Sequence, residues 1–71
     1  MSTKAEVLKM LEKIGDDEPL WLLRGQDLIA RAAMREWISK AAYQGVKAEK
    51  LIAAAGTTRA MDEWPHVKVP D

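Results

Sequence analysis

The chain has 71 residues, 11 Lys+Arg against 11 Asp+Glu, one histidine and no cysteine. That composition excludes disulfides, thiolate metal sites and any multi-histidine metal centre, and zero net charge gives no general attraction to nucleic acid or anionic membrane. A domain this small buries only about 60% of the surface its unfolded form exposes, so with other staples gone a homo-oligomer is the default expectation.

In chain order, helix 1 is announced by Thr3-Lys4-Ala5-Glu6, which has the spacing of a capping box. Val7, Leu8, Leu11 and Ile14 recur at helical spacing, Lys4, Lys9, Glu12 and Lys13 make the wet face, and Gly15 suits a left-handed stop, so this helix is expected over about 4–14. Asp16-Asp17-Glu18-Pro19 ends it, since proline drives the preceding residue to extended geometry. Leu20-Trp21-Leu22-Leu23 is too short to classify by period and reads as an extended segment, 20–23. Its partner within the chain would be His66-Val67-Lys68-Val69; a copy of itself in a second subunit is the other candidate.

Helix 2 is expected over about 28–44, with Asp27 as N-cap and Gly45 as stop. Leu28, Met34, Trp37, Ile38 and Ala41 supply its buried side, and alanines at 30, 32, 33, 41 and 42 let another helix approach closely. Helix 3 is expected over about 48–64, with Leu51, Ile52, Ala55, Met61 and Trp64 as apolar contacts. Gly56-Thr57-Thr58 weakens its middle, which leaves a kink or break open, and Pro65 starts a tail, 65–71. The whole reads as one mainly helical domain of about three helices plus one extended segment.

No catalytic constellation is visible. His66 has no nucleophile or orienting carboxylate nearby in sequence, and there is no phosphate-binding glycine motif. Asp16-Asp17-Glu18 lacks the alternating ligands and central glycine of a calcium loop, so a solvated turn is the better reading. The expectation is therefore a non-enzyme without metal or cofactor. Arg31 and Arg35 share one helix face and could grip phosphates. There is no basic stripe around them, which argues against nucleic acid and for an ordinary paired face. No basic segment leads into an apolar run of signal-peptide type, and Leu20–Leu23 is far short of the ~20 residues that cross a bilayer, so a cytoplasmic location without membrane contact is expected.

The most informative stretch is Arg24-Gly25-Gln26-Asp27. Gly25 and Asp27 suit a structural turn and helix cap. Trp21, Arg24 and Gln26, with Arg31 and Arg35 further on, would also supply a stacking plane, guanidinium forks and an amide for a small anion such as a nucleotide. A carboxylate at that helix start repels an anion, which favours the structural corner.

The run Asp17-Glu18-Pro19-Leu20-Trp21-Leu22-Leu23-Arg24-Gly25-Gln26-Asp27 resembles a D-E-P-x-F-x-L-R-x-Q-D motif of small uncharacterised proteins from phage, prophage and bacterial genomes. Arg35-Glu36-Trp37, Met61-Asp62-Glu63-Trp64-Pro65 and Lys68-Val69-Pro70-Asp71 resemble the same family's next helix and its closing M-x-x-W and K-x-P-D. The likeness spans residues 16–71 and departs after Asp27, where the family often has a proline-containing helix start and this chain has Leu28-Ile29-Ala30. It implies a mobile-element setting in a bacterial host and a binding task, with no activity attached. The two expectations are a phage-type binder that sequesters a small anionic ligand between subunits and, as the alternative, a protein-interaction module that inhibits or recruits a host protein.

Overall fold

The computed structural model describes residues 3–70. Three helices follow one another, α1 Lys4–Leu11, α2 Ala30–Tyr43 and α3 Ala48–Glu63, and among the described residues the sole β-pairing is a parallel bridge between Asp27 and Lys68. The class is mainly helical, as the sequence implies.

At the start of α1 the Thr3 hydroxyl accepts from the Glu6 N–H at 3.5 Å and donates to the Glu6 carboxylate at 3.3 Å. The cap thus closes between side chains instead of returning to the Thr3 N–H. The helix stops at Leu11, about a turn before the expected Ile14. Its end tightens into bonds three residues back, from Lys13 to Met10 and from Ile14 to Leu11, which do not propagate an α-helix. Gly15 is not the left-handed stop, because among the described residues the one positive φ belongs to Gly45. Instead the Gly15 carbonyl accepts from the Glu18 N–H at 3.1 Å and closes a turn that holds the acidic cluster in solvent.

Residues 20–23 form no strand, and their expected pairing with 66–69 is not made. The tail goes to the next stretch of chain. The Lys68 N–H donates to the Gln26 carbonyl at 2.8 Å, and the Leu28 N–H donates to the Lys68 carbonyl at 2.9 Å. That tie delays α2, which begins at Ala30 instead of Leu28. Asp27 still serves the helix start, but as a turn: its carboxylate accepts from the Ile29 N–H at 2.8 Å and its carbonyl from the Ala30 N–H at 3.1 Å.

The far end of α2 follows the sequence closely. Gly45 takes φ 81°, its N–H reaches the Ala42 carbonyl at 3.1 Å, and the Val46 N–H reaches the Ala41 carbonyl at 3.0 Å. These are the paired bonds of a Schellman stop, which needs the left-handed residue that glycine supplies without strain. The turn folds α3 back on α2, among the described residues the one helix pair with backbones in close contact.

Small residues form the α2–α3 seam. Ala30 is 0% exposed and Ala41, three turns on along the same face, 6%. Thr57 and Thr58 are buried on α3, their hydroxyls donating to the Ala53 and Ala54 carbonyls at 3.2 and 2.9 Å. Each hydroxyl is satisfied within its own helix, which lets polar residues pack at close range. Helix α3 runs unbroken through Gly56, so packing outweighs the ~1 kcal/mol propensity deficit of one glycine.

The expected large-residue core does not close. Trp37, read as core, is 44% exposed, and Leu28, Ile52 and Trp64 are exposed as well. Among the described residues no large side chain is fully buried. Alanines set the helix spacing, and a seam that narrow leaves no interior for indole rings.

Candidate functional site

The Arg24–Asp27 stretch is a knot between two parts of the chain. The Asp27 N–H donates to the Arg24 carbonyl at 3.0 Å, closing a four-residue turn, and the Gln26 carbonyl takes the Lys68 N–H. A Cβ built on Gly25 would stand 3.5 Å from Cγ of Trp64, so the glycine presents its bare backbone to the indole that ends α3. Two of the four turn residues, Gly25 and Gln26, thus fasten the segment before α2 to the end of α3 and the segment after it.

Two recesses open beside this knot. The smaller, about 150 Å³, is lined by Leu22, Arg24, Gln26, Asp27, Lys68 and Pro70. The larger is an apolar cleft of about 630 Å³ between α1 and the last turns of α3, floored by residues 22–25. Its walls are Val7, Leu8 and Leu11 on one side and Ala60, Met61 and Trp64 on the other, with Lys4 and Arg24 at the polar rim. Helix α1 has no close backbone approach to α2 or α3 and meets the rest of the protein across this cleft.

The sequence-derived binding residues do not converge. Arg24 and Gln26 share the smaller recess with Asp27, whereas Trp21 lines neither recess and is 89% exposed. Arg31 and Arg35 lie at the same end of the helix pair but turn to α3 and line neither recess. The Arg35 guanidinium pairs with the Asp62 carboxylate, and Arg31 donates to the Met61 carbonyl with its Nε 3.8 Å from Asp62 Oδ1. Both cations therefore meet the C-terminal turn of α3, where exposed carbonyls and the helix dipole favour positive charge. The arginine pair clamps α2 to α3.

Asp62 and Trp64 are the residues that sequence reasoning passed over. Both lie in Met61-Asp62-Glu63-Trp64, where the methionine and tryptophan read as core and the aspartate had no assigned partner. One acidic residue facing two arginines is the signal, but only the antiparallel return of α3 reveals it. No family model, curated protein or solved structure matches this chain. Among the described residues no helix is long and apolar enough to cross a membrane.

Proposed function

We propose that this chain is a non-enzymatic protein-interaction module whose working surface is the apolar cleft between α1 and α3. The observation that supports this reading is the cleft itself: about 630 Å³ walled by Leu8, Leu11, Met61 and Trp64, in a chain many of whose large apolar side chains stay exposed. Contiguous apolar surface bounded by polar residues is the mark of a protein contact. A groove between two helices suits an amphipathic helix that offers an apolar stripe. In the phage setting that the resemblance implies, such a module inhibits or recruits a host protein by occupancy alone.

Trp64 is a built-in reporter. In a Trp21→Phe, Trp37→Phe background, an amphipathic helical peptide with a leucine stripe should shift Trp64 emission to the blue in a saturable way. Leu8→Asp, which charges the cleft wall at an already exposed position, should weaken that binding at least tenfold while helical content stays unchanged. A flat titration, or one indifferent to Leu8→Asp, overturns the reading.

A second reading keeps the small-anion binder. The Arg24 guanidinium has no hydrogen-bond or ion-pair partner among the described residues and lies with Gln26 on the small recess. At about 150 Å³ that space fits a phosphate group better than a whole nucleotide, and the Asp27 carboxylate in its wall opposes an anion. Arg31 and Arg35, engaged with Asp62, would contribute nothing there. Calorimetric titration with inorganic phosphate and a nucleotide panel separates the readings: measurable heat lost in Arg24→Ala favours this one.

A further inference from the structure

We infer that the occupant of the cleft is a second copy of this chain, seated so that each copy's Leu20-Trp21 segment enters the other's cleft. The inference rests on the protein-interaction reading and names its partner. Area carries it first. The chain exposes 6168 Å², whereas a folded monomer of 8.0 kDa exposes about 4,500 Å². The excess is roughly 1,700 Å², about twice the ~800 Å² per partner of a standard stable interface.

Sequence adjacency sets the geometry. Leu22 and Leu23 form part of the cleft floor, and Trp21, directly before them, projects into solvent at 89% exposure. In a two-fold symmetric contact the same patch meets itself, so a side chain beside one cleft reaches the cleft of the other copy. A large indole beside an apolar groove is the kind of anchor that dominates such interfaces.

Charge completes the match. Lys4 and Arg24 stand on the cleft rim, and the exposed acidic turn Asp16-Asp17-Glu18 leads directly into Pro19-Leu20-Trp21. When Trp21 of one copy is seated, its acidic turn arrives at the cationic rim of the other. The balance of 11 basic and 11 acidic residues leaves no net repulsion between copies.

Sedimentation equilibrium of the full chain from 1 to 100 µM tests this, and the expected result is a reversible dimer. Trp21→Ala should raise the dimer dissociation constant about 30-fold or more. Because Trp21 is almost wholly exposed in the monomer, its loss should leave the circular dichroism unchanged. An Asp16→Lys/Asp17→Lys variant and a Lys4→Glu/Arg24→Glu variant should each fall to monomer, and their equimolar mixture should re-form a dimer. A monomer across the whole range, or a dimer indifferent to Trp21→Ala and to the charge exchange, overturns the inference. If the Trp64 peptide titration still succeeds in that case, the cleft remains an interaction surface with a different occupant; if both fail, the functional reading falls as well.

Discussion

Gly56 lies in the interior of α3, and nothing comes within 4 Å of where a Cβ would stand. Its φ is not positive, so alanine fits without strain. Gly56→Ala should therefore stabilise the protein by about 0.5–1 kcal/mol, chiefly by reducing the freedom of the unfolded chain. An increase in urea midpoint at constant slope checks it. Gly45 is the counter-case: at φ 81° the same substitution should destabilise. Trp37 takes an intermediate place. At 44% exposure, Trp37→Ala should cost about 1–2 kcal/mol, below the ~3–5 of a fully buried tryptophan. A loss in the upper range at high protein concentration only would mean that assembly covers the ring. The Arg24 guanidinium has no hydrogen-bond or ion-pair partner among the described residues, so Arg24→Ala should shift stability by no more than about 0.5 kcal/mol, which makes it a clean probe of binding.

At the scale of elements, the α2–α3 hairpin is fastened at both ends, by the Gly45 stop at one and by the arginine pair on Asp62 at the other. Asp62→Ala should cost about 1 kcal/mol, because Arg31, whose side chain is only 19% exposed, then loses its nearest carboxylate. The exposed Arg35–Asp62 pair should give a coupling of about 0.2–1 kcal/mol in a double-mutant cycle, and that coupling should shrink in high salt. A coupling of zero at low salt would make the Arg35 contact incidental. This level of structure was largely legible in the residues. Thr3-x-x-Glu6 announced a helix start, Gly45 a stop, and the alanines of α2 a close helix approach. What escaped was everything that depends on which element returns beside which. The late start of α2 comes from a backbone tie to Lys68, forty residues on, and no local pattern around Leu28 encodes it. The tryptophans misled for a related reason. Their spacing marks an apolar face, and spacing alone does not distinguish a face covered by the same chain from one left open. The five residues read as a binding set, Trp21, Arg24, Gln26, Arg31 and Arg35, were grouped by chemistry, and two of them, Arg31 and Arg35, are taken up by Asp62 and the end of α3.

For the whole molecule, the decisive quantity is how little the chain buries alone. Among the described residues the buried apolar ones are two alanines, and alanine contributes little of the apolar burial that offsets chain entropy. If the chain dimerises as we infer, association adds to the stability of so thin a seam, and that coupling has a thermal signature. If folding and dimerisation are one equilibrium, raising the chain concentration a hundredfold favours the folded dimer by about 2.7 kcal/mol. Two chains of 71 residues unfold with an entropy near 300 cal/mol/K, so Tm should rise by roughly 5–10 °C between 1 and 100 µM. The Trp21→Ala variant should melt lower than the parent at 100 µM and approach it at 1 µM, where little dimer remains to lose. Calorimetric or circular-dichroism melts across that range decide the matter. A Tm independent of concentration, identical in parent and variant, would show that the α2–α3 seam and the Gln26–Lys68 tie hold the monomer unaided, and the open apolar faces would then belong to binding alone.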